Sequence, residues 1–364
     1  MIDEACQAVL DHWERLPVSL PRPRRLQHWV DGTGAEKVSV FLFPDQRAEP
    51  CLVLKLARSR AGARPLRRAH RVVGRLRSLC PDHVRLAIPE QALLELPGGR
   101  WVIAEQYVAG TPISRLMADR RRIGSEAAQL LAPALQWLWE FHQATRMSVG
   151  ARAQTAGTRL IDRETAEFRR TFPLSTTALA FLEQTRDAGV AWLASGGALV
   201  PVHGDFEPGN VLLSREGIRI LDWGFGRPIG LPGFDLLFLL LRFLTRVAGL
   251  SRLGSTEAEY RRMVEDVFWT GSWQRRLVQD ALQEHWRQLG FPSVGLGTVL
   301  GLCLVTAANA YYRYLLDRAE WGWLFLPPRT EPRSFRDALR EIVYAQWFEH
   351  LSDNHDRLLW RQLG

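Results

Sequence analysis

A chain of 364 residues with 46% hydrophobic and 24% charged composition can bury a large core, and its length favours two lobes over one. Its four cysteines, Cys6, Cys51, Cys80 and Cys303, show no paired spacing, which argues against a disulfide framework or zinc site and fits a reducing cytoplasm. The formal charge is +8, yet only Lys37 and Lys55 among 47 basic residues are lysines, so the two retained lysines are more informative than the arginine excess.

Met1-Ile2-Asp3-Glu4 lacks the basic and apolar regions of a signal peptide, so no export is implied. Residues 3–16 carry Ala5, Val9, Leu10, Trp13 and Leu16 at helical spacing, and Pro17 to Arg25 reads as a connector. A β-rich block follows: Leu26 to Val30, a loop with Gly32 and Gly34 leading to Lys37, Val38 to Phe43, a turn over Pro44 to Pro50, and Cys51 to Ala57. Lys55 lies inside the last of these apolar runs. A buried ammonium is costly unless paired, so Lys55 either meets an anionic phosphate or lays its stem flat and reaches water.

Pro65 to Cys80 reads as a helix, with Pro65 in its first turn and Pro81 as its stop. Leu66, Ala69, Val73, Leu76 and Cys80 form an apolar stripe; Arg64, Arg68, Arg71 and Arg75 form a basic one, either solvated or touching an anionic surface such as a membrane periphery. Nothing here has the interleaved aromatics or module of a nucleic-acid binder. Trp101 to Pro112 is a strand running into a Gly/Pro turn, and β character ends near residue 108. Helical periodicity then takes over, with Leu130, Leu131, Leu135, Leu138 and Phe141 in one stripe and His142 as a core residue. A helix-rich segment covers Asp162 to Ala194. Ser293 to Tyr312 is uncharged, but three glycines, two threonines and Asn309 mark it as a buried core helix rather than a membrane span. The tryptophan-rich C-terminal part is expected to be helical, its indoles serving either packing or an apolar acceptor pocket.

The most informative stretch is Pro201 to Gly226, PVHGDFEPGNVLLSREGIRILDWGFG. Val211-Leu212-Leu213 and Ile218 to Leu221 read as hairpin strands joined by Ser214 to Gly217, with Gly217 placed for positive φ. Antiparallel pairing brings Asn210, which enters the first strand, beside Asp222, which leaves the second. Asp205 stands five residues before Asn210. Two carboxylates and an amide at one hairpin mouth suit a magnesium–nucleotide site, with Asn210 and Asp222 as metal ligands and Asp205 as a base. Taken singly, these residues also serve as turn formers.

His203-Gly204-Asp205-x4-Asn210 followed by Asp222-Trp223-Gly224 resembles the catalytic loop and metal-binding aspartate of the protein-kinase-like superfamily. The wording HGDFEPGNVLL, ILDWGFG and GFDLLFLL resembles the aminoglycoside phosphotransferase family of small-molecule kinases. The resemblance implies a two-lobed α+β fold, with a small β-rich nucleotide lobe over residues 1–107 and a large, mainly helical lobe over 108–364. It implies transfer of the γ-phosphoryl group of ATP, or GTP, to a hydroxyl of a small molecule. The expected acceptor is a neutral, sugar-containing or partly apolar metabolite, because acidic and basic residues nearly balance from Asp235 onward and aromatics are abundant there. Gly32, Gly34 and Lys37 would cover the phosphates and Lys55 would hold the α and β groups. Backbone groups near Gln106 to Val108 would bind the base. Asp205 would orient the acceptor hydroxyl, and Asn210 with Asp222 would bind Mg. His203 and Asp235 would support the catalytic loop, although Asp235 alone could be a helix cap. One departure is plain: the family's helix glutamate, which pairs with the strand lysine, has no counterpart, since no acidic residue occurs between Glu49 and Asp82 and Ala69 stands about where it would fall. That absence motivates a second expectation, a catalytically weak, nucleotide-binding regulator.

Overall fold

The computed structural model describes residues 2–31, 37–45, 47–57, 60–117, 129–147, 150–250, 257–319, 343–358 and 362–363. The fold is α+β, with its main sheet in the N-terminal region and helices dominating the C-terminal part. Two compact units divide the chain: Met1–Asp119 with His203–Pro228, and Arg120–Val202 with Ile229–Gly364.

In the first unit, β1 (Leu26–Asp31), β2 (Lys37–Pro44), β3 (Leu52–Ala57), β4 (Gln91–Leu96) and β5 (Arg100–Gln106) form an antiparallel sheet in the order β1-β2-β3-β5-β4. Side chains alternate between its faces. One face buries Val40, Leu42, Leu52, Leu54, Val102 and Ala104 against Ala5 and Val9 of the helix α1 (Ile2–Asp11) and against Trp13 and Leu16 just beyond it. Parity therefore places Ser39, Phe41, Val53, Lys55, Ile103, Glu105 and Gln91 on the opposite face. β4 is absent from the expected strands: Gln91-Ala92-Leu93-Leu94-Glu95-Leu96 lacks β-branched residues and clean alternation, and its partner β5 makes it a strand.

α2 (Arg60–Leu79) begins five residues before Pro65. Arg60, Ala61, Ala63 and Arg64 are good helix formers, and a proline in the second turn forfeits one backbone bond without stopping the helix. Its apolar stripe is buried as the spacing requires, and Arg68, Arg71 and Arg75 are exposed.

The second unit is built from helices, among them Ala132–Thr145, Ala151–Thr171, Thr176–Ala194, Phe234–Val247, Trp273–Leu289 and Leu296–Ala319. Leu296–Ala319 is a core helix: Leu296, Leu300, Val305 and Ala308 are buried, and Asn309 donates its amide to Glu164 O and Oε2 at 2.8 and 2.9 Å. Among the described residues no helix is long and apolar enough to cross a membrane. Trp286 and Trp347 are buried, as packing tryptophans are, whereas Trp321, Trp323 and Trp360 lie outside the described residues.

His142 is fully buried and meets the equally buried His285, Nδ1 to Nε2, at 3.0 Å. The bond needs one ring nitrogen to donate and the other to accept, so it is lost when both rings are protonated. Burial first, then the neighbouring ring's charge, holds His142 well below the usual histidine range, and burial lowers His285 to about 4. Between the unfolded value near ~6.5 and the folded one, the unfolded chain binds protons that the fold excludes, so stability rises with pH across that window. Acidification from pH 7.5 to 5 should cost about 2 kcal/mol through His285 alone and more once His142 is added, read as a falling urea midpoint; replacing both histidines by leucine should flatten the slope.

Candidate active site

The site is built on a small sheet of the first unit, in which β6 (Thr111–Pro112), β8 (Val211–Ser214) and β9 (Gly217–Ile220) lie in the order β6-β8-β9; the strand β7 (Val200–Val202) belongs to the second unit. The β8–β9 connection is tighter than its sequence implies. Ser214 pairs with Gly217 across Arg215-Glu216, Gly217 takes φ 112°, and Ser214 Oγ accepts from Glu216 N at 3.2 Å. At the other end Val211 pairs with Ile220, and Leu221 N–H donates to Asn210 O at 2.8 Å. Asn210 therefore faces Leu221, and Asp222 is the next residue out. Asp222 adopts φ 62°, ψ 64°, and among the described residues no other non-glycine has positive φ. That conformation costs an L-residue on the order of 1–2 kcal/mol and concentrates at functional sites.

His203 ties this end to the preceding loop. It is fully buried, its Nε2 donates to Leu221 O at 2.8 Å, and its Nδ1 accepts from Asp205 N–H at 3.2 Å. These partners fix the neutral ring with its proton on Nε2. Its edge packs against the Trp223 indole, centroids 4.6 Å apart. One side chain thus sets the separation of Asp205 from the strand that delivers Asp222. Asn210 Nδ2 donates to Asp205 O at 2.9 Å and to Asp205 Oδ2 at 3.0 Å. With its NH2 so engaged, the amide turns its oxygen away from Asp205. A carbonyl-type oxygen together with a carboxylate is the kind of hard donor set that magnesium takes, its remaining positions going to water and phosphate. Among the described residues no three His, Cys, Asp or Glu side chains gather as a fuller metal cluster.

Gly204 takes φ 83°, and a Cβ there would stand 2.5 Å from Phe225 O and 2.9 Å from Phe225 C. The close approach of the loop carrying Asp205 to the Asp222-Trp223-Gly224-Phe225 turn explains why this position has no side chain.

Lys55 keeps only 8% of its accessible surface and Glu105 only 3%. Lys55 Nζ donates to Glu105 Oε2 at 2.7 Å, and Gln91 Nε2 donates to the same oxygen at 2.6 Å. Burial alone would lower the lysine's proton affinity; the fields of Glu105 and of Asp222, with the hydrogen bond to Glu105, outweigh it and hold its pKa above the usual lysine value. The missing helix acid is therefore answered from the sheet. Sequence reasoning overlooked Glu105 and Gln91, and strand parity was the usable signal: Val53 pairs with Glu105, and Gln91 pairs with Glu105 from the other side. Arg68, assigned only to a basic stripe, donates to Gly226 O at 3.2 Å.

At the end of β5, Gln106 N–H donates to Glu90 O and Tyr107 N–H to Cys51 O. Among the described residues Val108 N–H makes no backbone hydrogen bond. Trp29, 58% exposed, lies 5.3 Å from Phe41, whose ring lies 6.4 Å from Tyr107. Gly32 and Gly34 lie outside the described residues, as does the Lys37 side chain. Asp235 is fully buried in the first turn of Phe234–Val247, in the second unit.

The sequence profile of the phosphotransferase enzyme family matches residues 32–291. The chain belongs to that family. The family is one of phosphotransferases, and the chain combines a β-rich N-terminal part with a helical C-terminal part. No curated protein sequence matches this phosphotransferase significantly. Among solved structures it is similar to the macrolide 2'-phosphotransferase MphH from Brachybacterium faecium, at 14% identity, 90% coverage of this chain and 100% of that one, TM-score 0.42. A choline/ethanolamine kinase family protein from Mesorhizobium loti is similar at 14% identity, 97% and 93% coverage, TM-score 0.46. The choline kinase LicA from Streptococcus pneumoniae is similar at 12% identity, 95% and 96% coverage, TM-score 0.44.

Gly204→Ala should destabilise the phosphotransferase by about 2–4 kcal/mol, because the strain of φ and a backbone clash add. Chemical denaturation measures this, and an unchanged midpoint would contradict the packing described. His203→Phe keeps the ring packing but removes both hydrogen bonds, and should cost about 1–3 kcal/mol in the same measurement.

Proposed function

We propose that this phosphotransferase moves the γ-phosphoryl group of ATP, or GTP, to a hydroxyl of a neutral or partly apolar small molecule. The observation that carries the proposal is the cluster of Asp205, Asn210, Asp222 and Lys55 within one compact unit, with Asn210 hydrogen-bonded to Asp205 and the Asp222 charge acting on Lys55. Lys55, held charged in a buried position, binds the α- and β-phosphates. Asn210 Oδ1 and the Asp222 carboxylate would hold magnesium, which when bound neutralises charge on the β- and γ-phosphate oxygens.

Asp205 orients the acceptor hydroxyl and takes its proton as that oxygen bonds to the γ-phosphorus. The bond to the bridging oxygen breaks and the nucleoside diphosphate leaves with that electron pair. Phosphoryl transfer needs mainly positioning and charge neutralisation, and the hydrogen bonds from Asn210 and His203 supply the positioning. Val108 N–H, which makes no backbone hydrogen bond among the described residues, would donate to the edge of a purine, and the rings of Trp29, Phe41 and Tyr107 would offer it a stacking surface. Lys37, Gly32 and Gly34 are assigned to the phosphates, and Asp235 to support of the catalytic loop, from the motif alone. The near balance of charge from Asp235 onward favours an acceptor without the polycationic character of aminoglycosides. The regulator hypothesis rested on a lysine with no acidic partner, and Glu105 is that partner.

The proposal is tested by ATP and GTP turnover against a panel of hydroxyl compounds. Asp205→Asn should lower kcat by about 10²–10⁴ with little change in nucleotide affinity. Asp222→Ala should abolish turnover and weaken binding of the magnesium nucleotide. Near wild-type turnover in either variant would refute the assignment.

A further inference from the structure

We infer that Glu105, supported by Gln91, is the residue that positions Lys55 for phosphate binding, so that the lysine is anchored to the sheet and not to helix α2. The inference rests on the proposed function and names the positioning pair of the same site.

Three observations carry it. First, the geometry is that of a designed pair rather than an accidental contact. β3 and β5 are neighbours with Val53 opposite Glu105, so Lys55, two residues along β3, lies diagonally across the same sheet face from Glu105. Gln91 stands directly opposite Glu105 on β4. Three adjacent strands thus contribute one side chain each to a row, and both neighbours donate to the same carboxylate oxygen, Oε2, at 2.7 and 2.6 Å. Gln91 fixes the carboxylate against one strand while Lys55 approaches from the other.

Second, the pair is buried. An ammonium and a carboxylate withdrawn from water are retained together only if each answers the other, and removing one partner leaves an uncompensated charge. Lysine carries three donors, so the bond to Glu105 leaves two N–H groups for a phosphate. The carboxylate therefore aims the ammonium without consuming it.

Third, α2 offers no alternative. Its residues contain no acid, and Ala69, one of its inward-facing positions, is buried as part of the apolar stripe. The helix has a different connection to the site: the Arg68 guanidinium donates to Gly226 O, and a Cβ added at Gly226 would stand 3.2 Å from Val72 Cγ1. α2 braces the turn that follows Asp222, while β4 and β5 brace the lysine. Each backbone hydrogen bond of the sheet supports the Lys55 geometry, so its placement does not depend on a helix swinging in or out.

The test is a double-mutant cycle on affinity for Mg–AMP-PNP, measured by calorimetry with the full-length protein. Wild type, Glu105→Gln, Lys55→Met and the double variant are compared. Glu105→Gln keeps shape and hydrogen-bonding capacity but removes the charge, and should weaken nucleotide binding by about 10-fold, Lys55→Met by at least as much. The double variant should bind no more weakly than Lys55→Met alone, because Glu105 acts through the lysine. Gln91→Leu should produce a smaller loss in the presence of Lys55 and none in its absence. Wild-type affinity in Glu105→Gln, or losses that simply add in the double variant, would overturn the inference while leaving the proposed function intact. Failure of the wild-type protein to bind Mg–AMP-PNP would instead refute the proposed function itself. A merely structural role for Glu105 would lower the denaturation midpoint and leave the cycle additive, which is the same overturning result.

Discussion

The hydrogen bond from Leu221 N–H to Asn210 O closes the β8–β9 ladder, and the rest of the site hangs from it. Because the two strands are antiparallel, closing that last rung fixes where the chain enters and where it leaves. Asn210 and Asp222 are the residues at those two points. His203 then spans the gap, donating to the carbonyl of Leu221 and accepting from the amide of Asp205. A register shift of one residue would turn every side chain of β9 to the other face and move Asp222 away from Asn210. The two-residue turn at Arg215-Glu216, closed by Ser214 and Gly217, guards against that shift from the far end.

A second constraint is electrostatic. Lys55 is buried, and a buried cation forces the surrounding sheet to present an anion within reach. Antiparallel pairing restricts the positions that can do so to those of the same parity on β2 and β5, together with the row beyond. Glu105 occupies such a position, and Gln91 completes its hydrogen bonding. Asp222 adds its field from the adjoining turn. The strand that packs on α1 with one face therefore carries the charged group of the site on the other, and the alternation that builds the core is the same one that builds the site.

Much of this was legible in the residues themselves. The strands carrying Val38, Val40 and Lys55 announced themselves by alternation, and the hairpin by its turn composition. The convergence of Asp205, Asn210 and Asp222 followed from local geometry, because fewer than twenty residues separate them. What escaped notice depended on pairing across longer distances. β4 has a weak strand signature and exists because β5 lies beside it. Glu105 is fifty residues from Lys55, on a strand, whereas the family resemblance points to a partner on the helix. Arg68 sits in a run of arginines whose composition conceals the one that reaches a carbonyl at Gly226. The start of α2 lies earlier than Pro65 suggests for a local reason: a proline suits a first turn, but helix formers precede it here.

The sheet-borne carboxylate also changes how divergence in this family can be recognised. With the lysine's counter-charge on β5, α2 owes Lys55 no carboxylate, and an arginine-rich, acid-free helix is compatible with a charged lysine in the sheet. A relative lacking the helix acid would be set aside as inactive if judged by that motif position. Asking instead which residue shares the lysine's sheet face finds Glu105 in this chain, a spatial pairing that the helix position does not reveal.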